Sequence, residues 1–99
     1  MDDDADAPFE WDPAKREANL QKHGIDFRDV MALFDDSQVV FEDASRPEHG
    51  ERRTKAIGRV GATLLCVIFT DRGERRRIIS ARRTRRDERE RYRQSAETA

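Results

Sequence analysis

The longest apolar run in this chain is Leu64-Leu65-Cys66-Val67-Ile68-Phe69. Successive side chains of a strand point to opposite faces, so a run that is apolar at every position needs cover on both sides. At six residues it falls far short of the ~20 needed to cross a bilayer. It therefore predicts a central strand with helices or further layers above and below it. The rest of the chain must supply that cover from a lean stock, 35% hydrophobic against 41% charged. A composition this polar raises the question of disorder. The apolar residues are grouped, however, with start and stop signals around them. At 99 residues there is material for one core and not two.

Residues 1–8 read as an acidic flexible tail, 9–93 as the single domain, and 94–99 as a second flexible tail. Phe9 and Trp11 read as core anchors rather than base-stacking platforms. Asp12-Pro13 opens a helix, with Asp as cap and Pro at the first helical position, and Gly24 closes it after His23. His23 there fits a structural role at the negative end of the helix dipole. Asp26 caps a second helix whose stripe is Phe27, Val30, Met31 and Phe34, the spacing of an amphipathic α-helix. Short strands follow at Val39–Phe41, over residues 53–60, at the apolar run itself and at Arg76–Ala81. Gly61-Ala62 and Asp71-Arg72-Gly73 supply the turns of a meander. A last helix is expected from Thr84 to Ser95, docked by Tyr92 and by the aliphatic stems of its arginines. The predicted fold class is α+β: two N-terminal helices, a four-stranded antiparallel sheet and a C-terminal helix.

Met1-Asp2-Asp3-Asp4 is the opposite of a positively charged leader, so a cytoplasmic, membrane-free protein is expected. The one cysteine, Cys66, sits among apolar neighbours and reads as a small buried hydrophobe. His23, His49 and Cys66 are too widely spaced for a structural metal site, so neither metal nor cofactor is expected.

Charge is the chemical content of this chain. Residues 1–50 hold 14 acidic and 5 basic side chains; residues 51–99 hold 7 and 15. Seventeen of the 20 basic residues are arginine, and eleven of those lie between Arg72 and Arg93. Arginine offers a planar donor fork that suits phosphate, and a basic half on a small domain is the footprint of a nucleic-acid binder. Arg77 and Arg82 lie on or beside a core strand, which fixes their direction. Arg85, Arg86, Arg89 and Arg93 equally fit a solvated, salt-bridged helix surface. The segment His49-Gly50-Glu51-Arg52-Arg53 places an imidazole, a carboxylate and guanidiniums at a strand entry. RNA cleavage without a metal uses such groups: a base for the 2′-hydroxyl, an acid for the leaving 5′-oxygen, and cations for the phosphorane. An exposed polar loop without chemistry is the competing reading.

Three motifs occur in order: Phe9-Glu10-Trp11-Asp12 with Lys15, Asn19, Lys22-His23-Gly24-Ile25 and Phe27; Glu51, Arg53 and Ile57-Gly58; and Arg77-Ile78-Ile79-Ser80-Ala81-Arg82 with Glu88 and Tyr92. Together they resemble the BrnT family of bacterial type II toxins over residues 9–93. The resemblance implies a RelE-like fold, a ribonuclease that stops translation and growth, and neutralisation by a BrnA-like ribbon-helix-helix antitoxin. Operator DNA would be reached only through that antitoxin, in a complex that represses its own operon. The candidate catalytic set is Glu51 or His49 as base, Arg77 and Arg82 on the phosphate, and Arg53 and Tyr92 as positioners. Arg76, Arg83 and Arg86 are the candidate RNA-binding residues. Lys55 departs from the pattern, which often has an apolar residue there. The alternative is a non-catalytic RNA- or ribosome-binding inhibitor.

Overall fold

A computed structural model describes residues 8–98 of the chain. The apolar run lies in β4 (Thr63–Arg72), which pairs antiparallel with β3 (Thr54–Val60) on one side and β5 (Arg75–Arg83) on the other. Two-residue turns at Gly61-Ala62 and Gly73-Glu74 join them. Each turn begins on a glycine at φ near +60°, a conformation that side chains resist. Adding β1 (Phe9–Glu10) and β2 (Val40–Asp43) completes a five-stranded sheet of order β1-β5-β4-β3-β2.

The central strand has cover on both faces. Leu65, Val67 and Phe69 face a core built with Phe27, Val30, Leu33, Ala56, Ile78 and Ala81. Helix α1 (Pro13–His23) and a 3₁₀ helix, Phe27–Asp35, lie on that side. Cys66, Ile68 and Thr70 point to the opposite face, which α2 (Arg86–Thr98) covers in part. Cys66 is 1% exposed, and burial pushes its thiol up to about 11, so it packs as a small hydrophobe. Phe9 and Trp11 are core anchors: the Phe9 ring lies tilted 5.2 Å from that of Phe34, and Trp11 meets Phe27 edge-on at 6.3 Å.

Several expectations need correction. The sheet is mixed and five-stranded rather than four-stranded and antiparallel. β1 pairs parallel to β5, with Phe9 opposite Arg76 and Glu10 opposite Arg77. A two-residue strand carries no periodicity in the sequence; tertiary pairing creates it, anchored where Arg76 N–H donates to the Pro8 carbonyl at 2.7 Å. The second helix is 3₁₀, and its buried row is Phe27, Val30 and Leu33, a spacing of three. A 3.6-residue stripe had selected Met31 and Phe34, which are only half-buried, and had missed Leu33. Helix α2 starts at Arg86 rather than Thr84, because Arg85 N–H donates to the Glu88 carboxylate at 2.8 Å and so occupies the cap. It continues to Thr98, past the expected end. Except for Pro8, the acidic segment 1–8 lies outside the described residues.

The charge split along the chain is not a split in space. Strands from the acidic half border both edges of the sheet, and Glu10 binds Arg77 (2.8 Å) while Glu42 binds Arg91 (2.6 Å). The two halves neutralise each other at these contacts.

The 3₁₀ helix approaches β3 closely at Gly58, where a Cβ would stand 2.8 Å from Leu33 Cγ and 3.3 Å from the Leu33 carbonyl oxygen. Gly58→Val should cost about 1–3 kcal/mol by overpacking. Urea unfolding measures this, and a variant as stable as the parent would show that the contact yields freely.

Candidate functional site

On the face that α2 only partly covers, the sheet is open beyond the helix's first turn. The opening is a groove of about 510 Å³. Ile68, Ile79 and Ser80 form its floor. Ile79 reaches it because the β4–β5 register slips from Phe69 opposite Ile78 to Ile68 opposite Ser80, leaving Ile79 as an extra residue in a bulge. Lys55 enters from β3 and Arg53 from the residue just before it, Arg82 and Arg85 from the junction of β5 and α2, and Arg46 and His49 from the loop between β2 and β3.

That loop is fixed by its own polar contacts. Ala44 N–H donates to the Arg53 carbonyl (2.9 Å), Arg53 N–H donates to Ser45 Oγ (2.9 Å), and the Ser45 hydroxyl donates to Asp43 Oδ1 (2.8 Å). A single 3₁₀ turn, Pro47–His49, then carries the imidazole to the rim. The side chains of Arg46, His49 and Arg85 make no ion pair or hydrogen bond among the described residues.

Beneath the wall lies Glu88, 1% exposed. Its carboxylate accepts two bonds from Arg82 (2.9 and 2.8 Å), one from Lys55 Nζ (2.8 Å) and one from Arg85 N–H (2.8 Å). Burial alone would raise its pKa; these donors more than offset that and hold it far below the usual carboxylate range.

Of the residues singled out in the sequence, the groove brings together His49, Arg53 and Arg82. Arg82 spends both terminal nitrogens on Glu88. Glu51 stands just outside, beside a more open depression of about 650 Å³ on the other flank of the loop. Its carboxylate lies 3.1 Å from Arg53 Nε and 3.6 Å from Arg72, and its pKa is lowered, chiefly by the Arg53 hydrogen bond. Arg77 is paired with Glu10 and does not line the groove. Tyr92 is buried under α2, one helical turn beyond Glu88. Its hydroxyl donates to Asp36 Oδ2 at 2.7 Å, and Arg59 lies 5.9 Å from its ring. Arg76 is on the opposite face of the sheet, 4.7 Å over the Phe69 ring and 5.0 Å over Phe34. Arg83 and Arg86 are exposed and line no part of the groove.

Sequence reasoning passed over Arg46, set Arg85 beside the solvated helix arginines, and named Lys55 and Glu88 without giving them a role at the site. A usable clue existed for two of them. In a strand, Lys55 and Ile57 share a face, so an apolar Ile57 beside a lysine marks the place where burial gives way to solvent. Glu88 stands three residues after Arg85, the position from which a carboxylate caps a helix start.

Fold and groove together define a small α+β protein with a cation-lined cleft on one face of its sheet. The chain belongs to the family described as the ribonuclease toxin, BrnT, of type II toxin-antitoxin systems, whose model matches residues 11–88. Membership makes it a ribonuclease toxin and implies an antitoxin partner. Among curated proteins, none matches the sequence. No helix among the described residues is long and apolar enough to cross a membrane.

Proposed function

We propose that this chain is a metal-independent endoribonuclease of RelE-like fold, residues 9–93 forming the working domain, and that the groove is where RNA is cut. The observation that carries the reading is the imidazole of His49, without a side-chain partner among the described residues, on the rim of a cleft that also holds five cations, Arg46, Arg53, Lys55, Arg82 and Arg85, against one acid, Asp43. Imidazole is the side chain suited to proton transfer near neutrality. His49 takes the proton of the ribose 2′-hydroxyl as the O2′–P bond forms. The P–O5′ bond breaks, and the leaving oxygen takes a proton from solvent. The groove's cations supply the positive charge that stabilises the phosphorane.

Glu51 is the poorer base, because Arg53 and Arg72 hold it in its charged, weakly basic form. It serves instead to orient Arg53. Arg77, Tyr92, Arg76, Arg83 and Arg86 act, on this reading, outside the reacting centre, as structural ties or as flanking contacts to a longer RNA. The partner is a BrnA-like ribbon-helix-helix antitoxin, acting in the cytoplasm, which covers the groove and through which alone operator DNA is bound and the operon repressed.

Purified protein incubated with RNA in EDTA tests the central claim. Cleavage is expected to continue and to leave a 2′,3′-cyclic phosphate and a 5′-hydroxyl. Loss of cleavage on chelation, or a 5′-phosphate product, would overturn the metal-free route. Growth arrest and RNA binding without any cleavage would instead favour inhibition by occupancy.

A further inference from the structure

Glu88 is an expensive residue to bury. Removing a carboxylate from water is offset only where its partners are well placed, and an apolar side chain of similar size fills the same space without that cost. Its two cationic partners do not share its burial. Lys55 and Arg82 keep 21% and 22% of their side chains accessible, while Glu88 keeps 1%. Both of them line the groove. The carboxylate is thus at the back, and the cations are between it and the opening.

The two cations are held differently. Arg82 is gripped by both terminal nitrogens and adds a bond to the Arg83 carbonyl at 3.1 Å. Lys55 gives one of its three N–H donors to Glu88 and makes no other bond among the described residues. Its two remaining donors sit on a half-buried strand residue whose direction β3 fixes. Lys55 stands across from Ile68, on the groove floor.

We infer that Lys55 is a catalytic residue that contacts the scissile phosphodiester with these two donors, and that Glu88 is the positioning residue that aims it. This rests on the groove being the cleavage site. Arg82 serves as a second, rigid cation that keeps the Glu88 carboxylate in place. One carboxylate shared by two cations leaves the cluster at net +1, so it attracts a phosphate while each partner stays ordered.

The test uses the full chain with two single-stranded oligoribonucleotides, one cleavable and one blocked by a 2′-deoxy sugar at the cut. Lys55→Met keeps the length of the side chain and removes the charge. It is expected to lower kcat about 30-fold or more. It should also reduce by close to 1 the number of phosphate contacts read from the salt dependence of blocked-RNA affinity. Glu88→Gln is expected to lower kcat with little change in KM, and less so in a Lys55→Met background than alone, because it acts through Lys55. Urea unfolding accompanies each variant. Should Glu88→Gln fail to fold, the Lys55→Met result decides alone. A Lys55→Met protein with unchanged kcat and an unchanged salt slope, beside an active parent, overturns the inference and leaves the groove assignment standing. A parent that neither binds nor cuts RNA removes the groove assignment, and this inference with it.

Discussion

His49→Ala should abolish most RNA cleavage, with kcat down by about 10²–10⁴-fold, the range over which positioned proton transfer contributes. The same variant should unfold at the parent's urea concentration, because the imidazole has no hydrogen-bond or ion-pair partner among the described residues to lose. Affinity for a blocked RNA should change less than about threefold, since the surrounding cations stay in place. Glu51→Ala separates the two candidates for base. It removes the carboxylate that orders Arg53, 3.1 Å away, and should cost less than about tenfold. Proton-transfer rates from cleavage assays, read beside unfolding curves for both variants, decide the matter. A larger loss for Glu51→Ala than for His49→Ala would reverse the assignment and make Glu51 the base despite its lowered pKa.

What the sequence made legible, and what it hid, follows the range of the interactions. The β3–β4–β5 meander was readable because its signals are local: an unbroken apolar run, two glycine turns, and strands of 7–10 residues. The start of α1 was readable for the same reason, with Asp12 accepting from Ala14 N–H at 2.8 Å. β1 was hidden, because its existence depends on β5, more than sixty residues away. The 3₁₀ geometry of Phe27–Asp35 was hidden too. Its buried row, Phe27, Val30 and Leu33, is chosen by packing on the sheet, where Leu33 lies against Gly58, and a helical stripe viewed alone does not contain that contact.

The candidate site divides along the same line. His49, Arg53 and Arg82 could be picked out as chemical types beside strand ends. The pairing of those types could not. Arg82 was read as a free phosphate ligand, yet its fork is filled by Glu88. Tyr92 was read both as docking the last helix and as a positioner at the site; its ring is buried, and its hydroxyl donates to Asp36. Lys55 was noted only as a departure from a pattern. The net charge of each half also misled as a spatial guide, because the sheet interleaves the halves. Ion pairs such as Glu10–Arg77 and Glu42–Arg91 neutralise cations that a linear count had left available. The groove is basic because of the few cations left without a full complement of acids, and not because the second half is basic in sum.

Asn19→Leu should be the most destabilising single change in the polar framework, by about 3–5 kcal/mol, a large part of the ~5–15 kcal/mol that holds a domain of this size. The reason lies at the edge of β5. β1 pairs with only Arg76 and Arg77, so the rest of that edge has no neighbouring strand. At Ala81, fully buried, the Asn19 amide takes the strand's place: Ala81 N–H donates to Asn19 Oδ1 at 3.1 Å, and Asn19 Nδ2 donates to the Ala81 carbonyl at 2.9 Å. The second Nδ2 hydrogen goes to the Ile25 carbonyl, also 2.9 Å, tying the exit of α1 to the same point. Leucine fills the space and deletes all three bonds, leaving one donor and two acceptors without partners where water has little access. Asn19→Asp sharpens the test. It keeps the acceptor for Ala81 N–H but turns a carboxylate oxygen toward two carbonyl oxygens, so it should be at least as destabilising despite its nearly identical shape. Urea midpoints at neutral pH give the ranking. A loss under about 1 kcal/mol for both variants would mean that water replaces the amide and that α1 is held to β5 by packing alone. The expected loss also bears on the groove, because Ala81 immediately precedes Arg82: a β5 edge released at Ala81 frees the strand that sets the Arg82–Glu88 pair. An Asn19 variant that still folds should therefore lose cleavage activity together with stability, while His49→Ala loses activity alone.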